Sequence, residues 1–320
     1  MSVWAGMLCA VEKVRRWVRE DFGLDVRELT PVGHGADVAA DVWKAATVTN
    51  TYAVKWSGAG TNTGHQVAAF LADTIPGIPE PVRTVEGGLW TFHGKKKRLT
   101  VTPWIDGVRA ADTGLTSGQW TEYGVLVRRI HEAEPPERLR NALPHHSPVR
   151  DRIPGLAEEL HTRLTTQPPE DDLEAELAAV WKEHKDTITG LLAARPPEPT
   201  GPRVVCHADP HLGNVLVDNG VHLVDWDDVV HAPREQDLMF LLGGMGSLGP
   251  TTSGQLTAFF TGYGDVHLDQ EALTYYRHVR ALEDAALWAE QALTGPDRGE
   301  CIDILRGGLG PGGLARLALS

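Results

Sequence analysis

The chain has 320 residues, 42% of them hydrophobic and 23% charged, the make-up of an ordinary globular protein with room for two lobes and a sizeable core. Its 30 Lys and Arg against 43 Asp and Glu give a formal charge of −13, which argues against a nucleic-acid partner and favours attraction of cations. Cys9, Cys206 and Cys301 are scattered without CxxC spacing, so neither a disulfide framework nor a zinc site is indicated, and no apolar run reaches membrane-spanning length. A mature, soluble, cytoplasmic protein with no membrane partner is the expectation.

Leu8, Val11, Val14, Trp17 and Val18 recur at helical spacing, predicting an amphipathic helix that ends near Phe22. Short β-prone runs follow at 29–32, 38–43 and 48–56, then a helical stretch at 66–73 closed by Pro76, Pro79 and Pro81. Strand character returns at 89–92 and 99–101 around a polar turn at 94–98. These elements predict a sheet-based N-lobe over residues 1–102. Residues 103–320 read as a helical C-lobe, with amphipathic helices over 119–131 and 173–192 and Pro-rich connections between. The expected fold class is α+β, two-lobed and protein-kinase-like.

The most informative stretch runs from Arg203 to Asp228. Two β-prone runs flank Asn219-Gly220, a strong signal for a two-residue hairpin turn with positive φ at both central positions. Asp218 would then face Val221, and counting outward Asn214 would face Asp225. Opposed residues have Cβ atoms about 4.5–5.5 Å apart, so the Asn214 amide oxygen and the Asp225 carboxylate would converge on one Mg²⁺. Asp209 precedes Asn214 in a loop holding Pro210 and Gly213, within reach of the same space. The order His207-x-Asp209-x-x-x-x-Asn214 followed by Asp225 matches kinase-type phosphoryl transfer. There one Asp accepts or orients the acceptor hydroxyl proton, while Asn and a second Asp hold metal.

On the nucleotide side, Lys55 ends a strand between apolar neighbours, the setting in which a kinase lysine reaches the α and β phosphates of ATP or GTP. Gly33 and Gly35 in the preceding turn would bring backbone N–H groups to phosphate. Residues 64–73 contain no glutamate to pair with that lysine, so a neutral contact from Gln66 or His65 is expected. Asp227, Asp228, Glu283 and Asp284 are candidates for binding an amine-bearing acceptor, and Trp288, about one turn past Asp284, for packing on its ring.

The segments Cys206-His207-Ala208-Asp209-Pro210-His211-Leu212-Gly213-Asn214 and Val224-Asp225-Trp226-Asp227 resemble the aminoglycoside phosphotransferase and choline kinase superfamily. The likeness continues through Ala232-Pro233-Arg234-Glu235-Gln236-Asp237 and Arg129-Ile130-His131-Glu132. Tyr275-Tyr276-Arg277-His278 with Glu283-Asp284 is most similar to the spectinomycin phosphotransferase branch. The resemblance implies a hinge at Thr102-Pro103-Trp104-Ile105, with the Thr102 carbonyl and Trp104 N–H facing the purine because Pro103 has no N–H. It further implies an antibiotic acceptor such as an aminocyclitol, giving resistance or self-protection. Other small alcohols, namely nucleoside antibiotics, choline or a sugar, and a ligand-binding pseudokinase, are the alternatives, and the oligomeric state is open.

Overall fold

The computed structural model describes residues 3–33, 40–94, 97–243 and 251–320, with side chains from Val11 onward. Helix α1 (Val3–Phe22) lays Val14, Trp17, Val18 and Phe22 against a five-stranded antiparallel sheet. Its strands are β1 (Glu28–Pro31), β2 (Ala40–Ala46), β3 (Thr51–Ser57), β4 (Thr91–His93) and β5 (Lys97–Pro103), in the order β1-β2-β3-β5-β4. Trp43, Val54 and Val101 oppose one another across three strands, all buried on the α1 side. Side chains alternate along a strand, so Lys55, next to Val54, projects from the opposite face. That alternation delivers the lysine to the site.

The strand expected from Val48 begins at Thr51 instead. Thr47 closes a turn, its Oγ1 accepting from Asn50 N at 3.0 Å, and Val48 is 70% exposed. A side-chain-stapled turn has overridden the β preference of one valine. Helix α2 (Asn62–Ala72) starts earlier than expected because Thr61 caps it, accepting from Gly64 N at 3.4 Å. Val38 and Gly35 lie outside the described residues.

Beyond β5 the chain is mainly helical. Strand β6 (Val108–Arg109) and α3 (Ala110–Thr113) lead into α4 (Ser117–His131), α5 (Glu137–Ala142), α6 (Ile153–Thr166), α7 (Asp172–Glu183) and α8 (Lys185–Ala193). Strands β7 (Val204–Cys206), β8 (Val215–Val217), β9 (Val221–Leu223) and β10 (Val230–Ala232) form two small antiparallel sheets, β10-β7 and β6-β8-β9. Helices α9 (Glu235–Leu238), α10 (Ser253–Tyr263), α11 (Gln270–Thr294), α12 (Arg298–Leu309) and α13 (Leu314–Leu317) follow. Among the described residues, no helix is long and apolar enough to cross a membrane.

Helices α4 and α10 pack closely because Gly124 has no side chain: a Cβ there would stand 2.1 Å from the Phe259 carbonyl oxygen. Tyr123, Val127, Ile130, Phe259 and Leu223 join there in one buried core. A second core unites α6, α7, α8, α11 and α12 around Trp181, Leu177 and Ile302. The single helix expected over 173–192 is two, α7 and α8, meeting at buried His184, whose φ of −100° and ψ of 19° leave the helical range. No Gly or Pro marks the break, which lets Trp181, Ile188 and Leu191 all reach that core.

Candidate active site

Strand β7 ends in His207-Ala208-Asp209, and Ala208 takes a left-handed φ of 70°, rare for a residue with a Cβ. The buried Asp237 carboxylate holds this bend. Its Oδ2 accepts from His207 N at 2.8 Å and its Oδ1 from Ala208 N at 2.7 Å, while His131 Nε2 lies 3.0 Å from Oδ2. His207 bridges onward: its Nδ1 accepts from Asp209 N at 3.3 Å, and its Nε2 donates to the Val224 carbonyl at 3.0 Å. Burial lowers its pKa, consistent with a neutral ring in this role. The Tyr123 hydroxyl donates to the Pro210 carbonyl. The loop is thus braced from α4, α9 and the segment just beyond β9 before Asp209 makes any side-chain contact.

Asp209 Oδ2 accepts from Asn214 Nδ2 at 3.0 Å and lies 3.4 Å from His211 Nε2, and its Oδ1 accepts from Arg280 Nη1 at 2.9 Å. Burial raises its pKa, but the charges of His211 and Arg280 outweigh burial and hold it well below the usual carboxylate range. Asn214 Nδ2 also donates to the Asp209 carbonyl at 2.9 Å, which leaves its Oδ1 as an oxygen donor.

The hairpin register differs from expectation. Val215 pairs Leu223, Leu216 pairs His222 and Val217 pairs Val221, so the loop has three residues, Asp218, Asn219 and Gly220. Asp218 Oδ1 accepts from Gly220 N at 3.1 Å, and neither Asn219 nor Gly220 has positive φ. Asn214 therefore lies opposite Val224, whose N–H donates to its carbonyl at 3.0 Å, and not opposite Asp225. A one-residue slip would send Asp225 to the wrong face. Its own φ of 66° swings the chain back, and its two carboxylate oxygens lie 2.8 and 3.0 Å from Lys55 Nζ.

Lys55 is held by two carboxylates, not by the neutral partner expected from α2. Asp227 Oδ2 lies 2.7 Å from its Nζ, while Asp227 Oδ1 lies 2.6 Å from Arg98 Nη2 and 3.0 Å from His65 Nε2. Gln66 is exposed. Burial lowers the Lys55 pKa, but Asp225 and Asp227 more than reverse this and keep it protonated. Asp227 is thereby spent inside a buried ion cluster and does not face an acceptor. Nothing in spacing along the chain marked Arg98 as its partner.

The hinge expectation is corrected in the same way. Trp104 N donates to the Thr51 carbonyl at 3.0 Å, and antiparallel alternation assigns Thr102, two residues back, to the same ladder. The Val101 carbonyl points the other way, accepting from Val82 N at 2.8 Å, so Pro103 presents its carbonyl on that free side. Gly33 is exposed just past β1, with nothing among the described residues within 4 Å of where a Cβ would stand, and Gly35 lies outside the described residues.

A cavity beside Ala208 is lined by Asp228 and Glu283, with Tyr275, Tyr276, Arg150 and Arg280. Burial pushes the Asp228 pKa up to about 7, helped by Asp209, Asp225, Asp227 and Glu283. Burial likewise takes Glu283 to about 7, against the Arg280 charge and with Asp284 adding to the rise. The other two acceptor candidates lie elsewhere. Asp284 Oδ1 accepts from Arg280 Nε at 2.7 Å, and Trp288 packs on the second core. Arg280 itself escaped the sequence reading, although its spacing of four from Asp284 on one helix was a signal.

A model of the phosphotransferase enzyme family, APH, matches residues 34–282. The chain belongs to that family. Spectinomycin phosphotransferase APH(9)-Ia, solved with ADP and spectinomycin, is similar with a TM-score of 0.83 and 25% identity, over 97% of each chain. Choline kinase LicA from Streptococcus pneumoniae has a TM-score of 0.60 at 15% identity, over 97% of this chain and 99% of that one. An ethanolamine kinase from Plasmodium vivax has a TM-score of 0.58 at 13% identity, over 95% of this chain and 88% of that one. At such identities the likeness is one of fold, protein-kinase-like and α+β. No curated protein matches the chain. This member of the phosphotransferase family is a small-molecule phosphotransferase.

The Asn214 Oδ1 and the Asp225 carboxylate are hard oxygens of the kind that suits Mg²⁺. His131, Cys206 and Asp237 also gather within 4.8 Å of one another. Asp237 is occupied by two backbone N–H groups, and His131 Nδ1 by the Tyr263 hydroxyl at 2.8 Å, so that trio is a hydrogen-bonded brace.

Proposed function

We propose that the protein transfers the γ-phosphoryl group of ATP or GTP, with Mg²⁺, to a hydroxyl of a small cationic antibiotic of the aminocyclitol class, such as spectinomycin. In this reading residues 1–102 and 103–320 act as two lobes of a cytoplasmic resistance or self-protection enzyme. The observation that carries it is the cavity beside Ala208, where Arg150 and Arg280 share the wall with Asp228 and Glu283, yet neither acid makes an ion pair within 4.0 Å among the described residues. Two half-buried carboxyls without a close ion-pair partner of their own suit an acceptor that brings a cation. Likeness to a spectinomycin phosphotransferase along the full chain adds the class.

Asp209 takes the hydroxyl proton as the acceptor oxygen bonds to the γ-phosphorus; the bond from that phosphorus to the bridging oxygen breaks, and the nucleoside diphosphate leaves. Asn214 and Asp225 would hold Mg²⁺, which when bound would neutralise phosphate charge. Lys55 then turns from Asp225 to the α and β phosphates, and the Pro103 carbonyl faces the purine. The Gly33 backbone N–H, just past β1, serves the phosphates in this reading.

A choline or ethanolamine acceptor is the second reading, favoured by the fold likeness to kinases of both. Purified protein incubated with Mg²⁺, ATP or GTP and single acceptors, read by mass spectrometry, decides between them. A phosphate adduct on spectinomycin supports the first reading, and an adduct on choline or ethanolamine alone replaces it.

A further inference from the structure

We propose that Arg280 is a positioning residue, clamping the Asp209 carboxylate in the orientation that receives the acceptor hydroxyl. The inference rests on the functional reading above and adds a member to its machinery. Arg280 Nη1 donates to Asp209 Oδ1 at 2.9 Å, whereas Asn214 Nδ2 donates to Oδ2 at 3.0 Å. Each oxygen of the carboxylate is therefore tied by a separate donor, and the plane of the group is set.

A clamp must itself be rigid. Arg280 is held at three points, by Asp209, by Asp284 Oδ1 at 2.7 Å from its Nε, and by the Phe240 ring, whose centroid is 5.1 Å from the guanidinium carbon. Asp284 lies one turn along the same 25-residue helix α11, so the fork is fixed to one of the longest rigid elements in the protein. The Asp209 loop leaves β7 through the left-handed Ala208 with its backbone braced by Asp237 and His207, and Arg280 adds the tie on the carboxylate itself. Asp284, a sequence candidate for acceptor binding, acts here as the support of the clamp.

The test uses Arg280→Gln, Arg280→Lys and Asp284→Asn in the full chain, with kcat and both KM values measured on an acceptor that the wild type phosphorylates. Expected is a kcat loss of about 10²-fold for R280Q with nucleotide KM unchanged, since a small misplacement of a reacting group costs that much. R280K, which keeps the charge but loses the planar fork, recovers part of it, and D284N loses less than R280Q. Wild-type kcat in folded R280Q overturns the proposal. So does a lower acceptor KM with kcat raised, which would make Arg280 an occupant of acceptor space. If the wild type phosphorylates no acceptor, the functional reading fails by itself, and the variants are read on ATP hydrolysis, where water takes the hydroxyl's place. A fall in hydrolysis for R280Q supports the clamp, and an unchanged rate overturns it.

Discussion

Lys55 Nζ lies 2.7 Å from Asp227 Oδ2, so the strand lysine is tied to a carboxylate two residues beyond Asp225 rather than to a helix glutamate. Asp227 also binds Arg98, and its backbone carbonyl accepts from Thr61 N at 2.9 Å. This one residue thus joins the sheet, the start of α2 and the segment after β9 that carries Asp225. Removing it strands the buried Arg98 and leaves Lys55 with Asp225 alone.

Asp227→Ala is expected to destabilise the fold by about 3–5 kcal/mol, the usual cost of breaking a buried ion pair from one side, and to raise the nucleotide KM. Thermal unfolding and steady-state kinetics check both. An unchanged melting temperature would mean that the cluster contributes no net stability.

Asp209→Asn keeps the size of the side chain but removes its capacity to take a proton. Turnover should fall by about 10²–10⁴-fold while calorimetric nucleotide binding persists. Near wild-type turnover would remove Asp209 from the role assigned to it.

Asp228 and Glu283 give opposite pH slopes for binding and stability. Both have folded pKa values of about 7, above the ordinary 3.8 and 4.5, so between these limits the folded chain holds protons that the unfolded chain has released. Their contribution to stability therefore falls as pH rises from about 4.5 to 7. Asp209, Asp225 and Asp227 around Asp228, and Asp209, Asp284, Arg280 and Arg152 around Glu283, set those values alongside burial. A cationic acceptor needs the carboxylates ionised, so its affinity should rise over the same range. Titration calorimetry with the acceptor from pH 6 to 8 measures this, and flat affinity would exclude the two acids as its partners.

Gly64→Ala tests the join between α2 and the Trp226-Asp227 segment. A Cβ at Gly64 would stand 1.8 Å from the Trp226 carbonyl oxygen, a backbone atom with no room to yield. Reduced thermal stability together with a raised nucleotide KM is expected. A wild-type melting curve would show that α2 can shift without cost.

Most of the order of elements, the α+β class and the closeness of Asp209 to Asn214 were legible along the chain, because hydrophobic period, turn chemistry and motif spacing are local properties. Local signals also misled. Asn219-Gly220 promised a two-residue turn, yet the Asp218 side chain made a three-residue one, and the positive φ of Asp225 restored what the slip would have lost. What only the tertiary structure decided were the partners: Asp227 for Lys55, Arg280 and Asp284 for Asp209, Asp237 for the loop backbone, and Thr51 for Trp104. Lys55 and Asp227, like Arg280 and Asp209, are far apart in sequence. Their pairing comes from burial, which makes an unpartnered charge or N–H costly and so selects whichever complementary group packing brings within reach.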